Sequence, residues 1–242
     1  MKDISLIVPA FNEIERIQPT LETYYNELKN ICQHFEMLVV DDGSTDGTAN
    51  LVLSLQSAMP AIRLIRCPEN RGKGNAVRLG MLAAQGKIRI MTDADGSIPA
   101  EQVKNLILPL LTEEAEIVIG SRYIQGAKVQ QKQPFYRRLW SRFANKIIQR
   151  TLLPGIKDTQ CGFKAFKGQI AVQLFELAKI EGWSFDLELL ALANIKGFRI
   201  KEVPVIWSDD ERSNGKFSQL PKTIAELFKI QSQIKKYRIA LG

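Results

Sequence analysis

Cysteine and histidine are scarce in this sequence of 242 residues. The three cysteines, Cys32, Cys67 and Cys161, lie far apart and lack CxxC spacing, which predicts neither a disulfide framework nor a zinc site built from thiolates. His34 is the only histidine, so a histidine-rich metal site and catalysis by several histidines are excluded. We expect a reducing compartment, and any bound metal ion must be held by oxygen ligands.

Long hydrophobic runs are absent as well. The first apolar run, at 4–8, ends at Pro9 and is followed by polar residues, so it is too short for the apolar region of a signal peptide. No stretch of about 18 to 20 uncharged apolar residues, the length that a membrane-spanning helix needs, occurs in the sequence. The sequence therefore predicts a protein that is not secreted by this route and does not cross a membrane.

The overall composition is that of a folded protein. Hydrophobic residues make up 45% and charged residues 24%, which favours one globular domain with a substantial core and argues against disorder. Lysine and arginine number 33 against 26 acidic residues, giving a net charge of +7. This excess favours anionic partners, among them nucleotides, nucleic acid or an acidic lipid surface.

The first half of the chain alternates between two patterns. Short β-branched runs predict buried strands, and apolar residues at helical spacing predict helices between them. This alternation predicts βαβ units, and hence an α/β fold with a mostly parallel sheet and helices on both faces. Ligands of such a sheet bind at the carboxyl ends of its strands. The predicted strands are 4–8, 37–40, 62–66, 88–92 and 117–119, and the predicted helices are 15–32, 48–58, 75–84 and 101–111.

The pattern changes after residue 123. Residues 126–133 are polar and predicted to be flexible, 135–153 predict a basic amphipathic helix, and 154–166 predict a connection without regular structure. Further helices are predicted at 170–179, at 185–195 and from Pro221, with a strand at 199–207 and a polar loop at 208–218. Because no long linker or internal repeat occurs, we expect a single domain over 1–242.

Acidic residues follow three of the predicted strands. The segments 9–13, 41–48 and 93–97 come after the first, second and fourth strands, so they meet at one edge of the sheet. An acidic edge repels anionic ligands unless a cation is bound there. Asp93 and Asp95 can each present a carboxylate to one Mg²⁺ or Mn²⁺ ion, while a diphosphate supplies further oxygens. The alternative is that these segments only form turns, for which Asp and Gly are well suited.

Several motifs, in this order, resemble those of an enzyme family. PAFNE at 9–13, VVDDGSTDGT at 39–48, NRGKG at 70–74 and DADGS at 93–97 resemble the motifs of family 2 inverting glycosyltransferases, which have the Rossmann-like GT-A fold. GSR at 120–122, DTQCGFK at 158–164 and FDLE at 185–188 resemble the polyprenyl-phosphate sugar transferases. DADGS and DTQCGFKAF are more similar to dolichyl-phosphate β-glucosyltransferases than to mannosyltransferases. The resemblance implies a nucleotide-sugar-binding half at 1–123, an acceptor-side half at 124–220 and a C-terminal helix or tail at 221–242.

For the donor, the resemblance implies a nucleotide site with a metal ion, and the residue chemistry agrees with it. A carboxylate such as Asp41 can accept the imide N–H of uracil, and Lys73 can approach a phosphate or a base edge. The alternative for the segment 71–74 is an ordinary basic turn or a phosphate-binding loop. The implied nucleotide residues are Pro9, Asn12, Glu13, Asp41, Asp42 and Lys73, with Asp93 and Asp95 as the metal ligands.

A second basic segment, at 212–218, resembles the mobile loop that closes over the donor diphosphate in this family. Its implied diphosphate contacts are Arg212 and Lys216. The alternative is a solvated surface loop.

The implied catalytic residues are Asp95, Asp186 and Arg122. Asp186 and Glu188 both fall at the acidic catalytic position of the family, and Asp186 is the better candidate, as a base or as a group that positions the acceptor. The alternative is an ordinary helix start, capped by Ser184 and favoured by acids in the first turn.

The acceptor is expected to contact Arg122, Gln160 and Lys164. The planar fork of an arginine suits a phosphate group. Cys161, in the same segment, is expected to be structural.

The resemblance implies a metal-dependent, inverting transfer of glucose from UDP-glucose to a polyprenyl or dolichyl phosphate. GDP-mannose as the donor and a sugar hydroxyl as the acceptor are alternatives, and a hydroxyl acceptor needs a base. A nucleotide-binding module without activity is an alternative of another class. Nucleic acid is not expected as a partner, because the acidic strand ends would oppose its phosphates.

A lipid acceptor implies contact with a membrane. The segment 135–150 contains five cations, no acid and several large apolar residues, which is typical of a helix that lies in an anionic lipid interface. The alternative is a helix that packs its apolar stripe on the core. We expect a cytoplasmic protein bound peripherally to the cytoplasmic face of a membrane.

Overall fold

The structure is a computed structural model that describes residues 2–130, 152–208, 226–227, 229–235 and 237. Most of the predicted helix at 135–153, and all but the first residue of the predicted loop at 208–218, lie outside the described residues. Arg212 and Lys216 lie outside them as well. None of the helices in the described ranges is long and apolar enough to span a bilayer.

A seven-stranded sheet forms the centre of the fold, in the order β3-β2-β1-β4-β7-β5-β8. β1 is buried along its whole length and pairs in parallel with β2 and β4. Strands that are covered on both faces read as continuous apolar runs, which explains the patterns at 4–8 and 37–40. The strands are β1 (Ile4–Ala10), β2 (Phe35–Asp41), β3 (Ile62–Arg66), β4 (Ile88–Met91), β5 (Ile117–Ser121), β6 (Lys128–Val129), β7 (Lys164–Lys167), β8 (Ile200–Pro204) and β9 (Ile206–Trp207).

Helices cover both faces of this sheet. Leu6 and Val8 of β1 pack in one hydrophobic cluster, whereas Ile7 packs in the other, as the alternation of side chains along a strand requires. The helices are α1 (Ile17–Ile31), α2 (Thr48–Leu55), α3 (Lys73–Ala83), α4 (Val103–Leu111), α5 (Gly168–Leu177) and α6 (Phe185–Ile195), with a short 3-10 helix at Ala100–Gln102. The predicted α/β fold, mostly parallel with helices on both faces, is confirmed.

The strand β7 corrects one prediction. The sequence predicts no regular structure for 154–166, but β7 begins at Lys164 and lies antiparallel between β4 and β5. Its sequence is KAFK. Because a charged lysine stands at each end, the sequence lacks the apolar run that would predict a buried strand. The insertion has a consequence for the site, because Lys164 pairs with Met91 of β4 and with Ile119 of β5. Lys164 therefore lies next to the acidic segment that follows β4.

The predicted strand at 199–207 and the predicted flexible segment at 126–133 need a second correction. The strand is divided at Val205 into β8, which extends the large sheet, and β9, which pairs in parallel with β6 in a separate two-stranded sheet. The segment 126–133 thus contains a strand, β6. Both of its residues are exposed, and so it has no buried apolar pattern from which a strand could be predicted.

Candidate active site

The segment 92–98 follows β4 and carries two aspartates at the carboxyl edge of the sheet. Oδ1 of Asp93 lies 2.5 Å from Nζ of Lys73, the first residue of α3. Oδ1 of Asp95 accepts a hydrogen bond of 3.0 Å from the backbone N–H of Ser97. A Cβ atom at Gly162 would collide with the carboxylate of Asp93, so any larger residue there would displace that carboxylate. The structure thus brings together Asp93, Lys73 and the 158–164 segment.

Two residues of α1, one helical turn apart, form hydrogen bonds to the same segment. Oγ1 of Thr20 donates to the carbonyl of Ala94 at 3.0 Å. The hydroxyl of Tyr24 donates to the carbonyl of Ile98 at 3.0 Å and lies 2.9 Å from Oγ1 of Thr92. Sequence reasoning missed both residues. The only signal was a pair of polar groups, four positions apart, on the apolar face of a helix.

The electrostatics of the two aspartates differ. Burial would raise the pKa of Asp93, but Lys73, Lys164 and Arg122 together lower that pKa below its ordinary value. Burial and the charge of Asp93 together raise the pKa of Asp95. Burial would lower the pKa of Lys73, but Asp93 and Asp186 raise it above its ordinary value. One cation therefore neutralises only part of the acidic pair.

Asp93 and Asp95 fit the requirements of a hard divalent cation. Their carboxylates are the oxygen ligands that Mg²⁺ and Mn²⁺ prefer, and Asp93 already contacts a cation, Lys73. No three His, Cys, Asp or Glu side chains within the described ranges are grouped so as to hold a metal ion. A divalent ion here would need further oxygens from a bound molecule.

Asp41, at the end of β2, has one carboxylate oxygen without a hydrogen bond. Oδ1 accepts from the backbone N–H of Ser44 at 3.1 Å. Oδ2 is buried without a hydrogen-bond partner, and Nε of Arg66 lies 3.8 Å from it. A buried acceptor of this kind is costly unless a donor reaches it, so the site suits a ligand that presents an N–H group.

Asn12 and Glu13 join the loop after β1 to the loop after β2. The N–H of Asn12 donates to Oγ of Ser44, and its Oδ1 accepts from the N–H of Thr45, both at 2.9 Å. Asn12 also has a φ of 55°, in the left-handed region. The N–H of Glu13 donates to Oγ1 of Thr48 at 2.9 Å. The structure thus gives these two residues bonds that shape the loops, while Pro9 lies in β1, paired with Val40.

Asp42 binds the backbone of the two residues that precede Lys73. Its carboxylate accepts hydrogen bonds from the N–H groups of Arg71 at 3.1 Å and Gly72 at 2.7 Å, and burial raises its pKa. Gly72 has a φ of 116°, and a Cβ atom there would lie 2.5 Å from the carbonyl oxygen of Glu181. The carboxylate of Asp42 therefore fixes the turn from which α3 and Lys73 begin.

Lys164 and Asp186 form a buried ion pair. Nζ of Lys164 lies 2.6 Å from Oδ1 of Asp186 and also donates to the carbonyl of Cys161. Burial raises the pKa of Asp186, and the charges of Lys164 and Lys73 oppose that shift. Because the side chain of Lys164 is fully buried, its ammonium contacts Asp186 and the Cys161 carbonyl rather than an open surface.

Glu188 points to different partners. Its carboxylate accepts hydrogen bonds from the backbone N–H groups of Lys179 and Ile180, the latter at 2.8 Å. It therefore fixes the loop between α5 and α6, whereas Asp186, one half-turn earlier, contacts Lys164.

Arg122, at the end of β5, is held by an acid and two aromatic rings. Its Nε and Nη2 donate to Asp158 at 2.8 and 2.9 Å, and its guanidinium lies 5.6 Å and 5.4 Å from the ring centres of Tyr123 and Trp207. Burial would raise the pKa of Asp158, but Arg122 lowers it. Sequence reasoning assigned no role to Asp158 or Trp207. Gln160, two residues after Asp158, is exposed.

These side chains form one electrostatic cluster. Asp93 is stabilised by Lys73, Lys164 and Arg122, and Lys73 in turn by Asp93, Asp186 and Asp95. Three cations and three carboxylates, supplied by five segments, thus meet at the carboxyl ends of β4 and β5 and at the amino end of the antiparallel strand β7. Such a cluster can bind phosphate groups and a divalent cation together.

Comparisons with known proteins give this site its context. The chain is 36% identical over 237 residues to a dolichyl-phosphate beta-glucosyltransferase of Trichomonas vaginalis, covering 93% of this chain and 70% of that protein. It is 37% identical over 221 residues to the dolichyl-phosphate beta-glucosyltransferase of Dictyostelium discoideum, covering 87% and 68%.

Solved structures agree with the fold. The chain is similar, with a TM-score of 0.69 and 19% identity, to glucosyl-3-phosphoglycerate synthase of Mycobacterium tuberculosis in complex with Mn²⁺, uridine diphosphate and phosphoglyceric acid, covering 96% of this chain and 78% of that one. The family model "Glycosyl transferase family 2" matches residues 5–175. The resemblance seen in the motifs is confirmed: the chain is a glycosyltransferase that belongs to family 2.

Proposed function

We propose that the protein transfers glucose from UDP-glucose to the phosphate of dolichol or a related polyprenol, with inversion at the anomeric carbon. The observation that carries the proposal is the cluster of Lys73, Lys164 and Arg122 around Asp93 at the carboxyl edge of the sheet. A donor diphosphate and an acceptor phosphate both need cations there. The names of the Trichomonas and Dictyostelium relatives support the sugar and the lipid.

The donor is bound along the sheet edge from β2 to β4. Oδ2 of Asp41, which lacks a hydrogen bond, accepts the imide N–H of uracil. Asp93 and Asp95 hold Mg²⁺ or Mn²⁺, and the Mn²⁺ and uridine diphosphate in the mycobacterial structure support that choice. When bound, the ion supplies positive charge that stabilises the leaving diphosphate. Lys73, between Asp93 and Asp186, adds a fixed cation on the same side.

The acceptor is an anion at neutral pH and needs no base. A phosphate oxygen forms a bond to the anomeric carbon as the bond from that carbon to the β-phosphate oxygen breaks, and UDP leaves with the electron pair. Arg122, oriented by Asp158, binds the acceptor phosphate. Asp186 pairs with Lys164 and holds the ammonium of Lys164 in position. A sugar hydroxyl as the acceptor would require Asp186 to remove a proton.

The lipid acceptor places the reaction at a membrane surface. We assign the cytoplasmic face, because the three cysteines are free thiols, as a reducing compartment requires.

The segment 135–150 is the proposed lipid contact. Vesicles with anionic lipid should bind the protein in a flotation assay, and salt or the change of Arg137, Arg138 and Arg142 to Gln should weaken binding without changing nucleotide affinity. Flotation that responds to neither would remove this segment from the proposal.

We also propose a division of labour along the chain. Residues 1–123 bind the donor, 124–220 form the acceptor side, and 221–242 are a C-terminal helix or tail. The positions of Asp41, Lys73 and Asp93 in the first segment, and of Lys164 and Asp186 in the second, support the division.

The activity is tested with purified protein, Mn²⁺ or Mg²⁺, and a panel of nucleotide sugars and short polyprenyl phosphates. Mass spectrometry should show a glucosyl polyprenyl phosphate with UDP-glucose, and a chelator should abolish it. NMR of the product reports the anomeric configuration. A mannosyl product with GDP-mannose alone, or transfer only to sugar hydroxyls, would overturn the choice of donor or acceptor. No product across the panel would support a nucleotide-binding module instead.

A further inference from the structure

Trp183 is a large aromatic side chain that remains exposed beside the active site. It lies in the segment 178–184, which connects α5 to α6, three residues before Asp186. Its side chain is 48% exposed. The ammonium of Lys73 lies 5.1 Å from the centre of its ring, and the same ammonium contacts Asp93. One lysine therefore joins the exposed ring to the candidate metal site.

The segment 178–184 is fixed at its beginning and middle by neighbouring helices. Glu188 of α6 accepts hydrogen bonds from the N–H groups of Lys179 and Ile180. The N–H of Asn75 in α3 donates to the carbonyl of Glu181 at 3.1 Å. These bonds tie the segment to the two helices that also supply Lys73 and Asp186.

The end of the segment has a third anchor. The N–H of Ser184 donates to Oε2 of Glu226 at 3.3 Å. Glu226 is helical, and Ile230, one turn further on, is fully buried in the core. Trp183 thus lies in a segment that is anchored on both sides, so its ring is presented in one place.

An exposed aromatic ring on an anchored segment is free to stack against a ligand. Its face is apolar and electron-rich, and it pairs well with C–H groups that carry partial positive charge. One face of a hexose ring is lined with such C–H groups. We propose that Trp183 is the platform on which the hexose of the nucleotide sugar stacks, an inference that rests on the proposed function.

The order of groups along the sheet edge supports a hexose rather than an isoprenoid. Asp41, the proposed base contact, ends β2, and Asp93 follows β4 two strands away. Beyond β4 come β7, with Lys164 beside Asp186, and then β5, which ends next to Arg122. A ligand laid along this edge presents its base, then its diphosphate, then its hexose. Trp183 contacts Lys73, which lies at the diphosphate position, and it precedes Asp186 by three residues. The ring therefore lies near the position of the hexose.

Calorimetric titrations with UDP and with UDP-glucose, both with Mn²⁺, test the proposal. Trp183→Ala should weaken the binding of UDP-glucose about tenfold, because roughly tens of Å² of apolar ring surface would no longer be buried on binding. The binding of UDP should weaken less than about twofold. Trp183→Phe, which keeps an aromatic face, should restore most of the affinity for UDP-glucose. Leu53→Ala is the matched control, because Leu53 is 47% exposed on α2 and should change neither titration.

Three outcomes would overturn the proposal. Equal losses for UDP and UDP-glucose would mean that Trp183 supports Lys73 and the diphosphate. Unchanged titrations with a raised KM for the polyprenyl phosphate would assign the ring to the isoprenoid. Unchanged titrations and kinetics would remove Trp183 from the site.

Failure of the proposed function is distinguishable. Wild-type protein would then bind UDP-glucose no better than an unrelated nucleotide, and the same pair of titrations would be made with the hexose donor that it does bind. If Trp183→Ala does not fold, Trp183→Leu replaces it, since leucine keeps apolar bulk without an aromatic face.

Discussion

Nζ of Lys164 and Oδ1 of Asp186 lie 2.6 Å apart, and both side chains are buried. Lys164 begins β7, which lies antiparallel to both of its neighbours in the large sheet, and Asp186 lies in the first turn of α6. A buried ammonium is costly without a partner. Any change at Asp186 therefore affects both the stability of the fold and the charge of the active site, and the two effects must be measured separately.

Asp186→Asn leaves the charge of Lys164 without a carboxylate. We expect it to lower the free energy of unfolding by about 3 kcal/mol, as is typical when one partner of a buried pair is removed. If lipid phosphate is the nucleophile, transfer by the folded variant should fall less than in Asp95→Asn, and it should not gain a steep rise with pH in the neutral range. Urea unfolding and pH-rate profiles measure the two effects.

A loss of activity as complete as that of Asp95→Asn, in a folded Asp186→Asn variant that still binds the acceptor, would contradict the phosphate model. It would instead favour a hydroxyl acceptor, for which Asp186 is the base.

Asp95→Asn should abolish transfer while the fold stays intact. Losing about 3 to 4 kcal/mol of transition-state stabilisation lowers the rate by about two to three orders of magnitude. Burial and the charge of Asp93 both oppose the ionised form of Asp95, so without metal the variant should be at least as stable as the wild type. Thermal unfolding with and without Mn²⁺ and UDP checks this, because the stabilisation by Mn²⁺ should disappear. Near-normal turnover would refute the metal assignment.

Tyr24 and Thr20 should influence the metal site without touching it. Tyr24→Phe and Thr20→Val remove the bonds to Ile98 and Ala94 that hold the 92–98 segment. Because groups that orient metal ligands typically contribute about 10- to 100-fold to affinity, we expect weaker Mn²⁺ binding in the presence of UDP, measured by electron paramagnetic resonance.

Thr23→Val is the control for these variants. Thr23 is exposed on the same helix, and its hydroxyl bonds only to the carbonyls of Pro19 and Thr20 among the described contacts. A loss of Mn²⁺ affinity as large in Thr23→Val would show that the effect comes from α1 as a whole.

The fold could be predicted from the sequence where local patterns carry it. The β-branched runs at 4–8 and 37–40 are buried on both faces, and such strands have a clear signature. β7 could not be predicted, because KAFK has a buried lysine whose charge is balanced by Asp186, 22 residues further along the chain. The carboxyl-edge acids could be found because strand ends and motif order mark them. Tyr24 and Asp158 could not, since their partners lie 74 and 36 residues away.

Asp158 should govern part of the acid sensitivity of the protein. Its pKa is lowered in the folded state, despite burial, because Arg122 pairs with it. A lowered folded pKa contributes stability that is present above the unfolded value of about 4 and is lost as the pH falls through the folded value. Asp158→Asn should therefore lower the free energy of unfolding at pH 7 by about 3 kcal/mol. Below pH 4, the variant should lose less additional stability than the wild type does.

Urea unfolding at pH 7 and at pH 3.5 measures this difference. The gap between wild type and variant should narrow at the lower pH. A gap of constant size would mean that the pair does not set the pH dependence.

Glu36 stabilises the opposite edge of the sheet, so its substitution separates stability from activity. It lies near the start of β2 and is 2% exposed. Its carboxylate accepts hydrogen bonds from Oγ of Ser5 and the N–H of Gln85, both at 2.6 Å, and from Nη1 of Arg63 at 2.9 Å. Glu36→Ala leaves the buried hydroxyl of Ser5 and the N–H of Gln85 without this acceptor, which should cost about 3 kcal/mol of unfolding free energy.

Ser5→Ala removes two bonds of the same network, because Oγ of Ser5 donates to Glu36 and accepts from the N–H of Gly86 at 2.8 Å. It should cost about 2 kcal/mol. Because the carboxyl edge of the sheet is untouched, kcat and KM per folded molecule should match the wild type for both variants at a temperature well below their unfolding. A fall in kcat without unfolding would show that this edge is coupled to the active site through β2, whose last residue is Asp41.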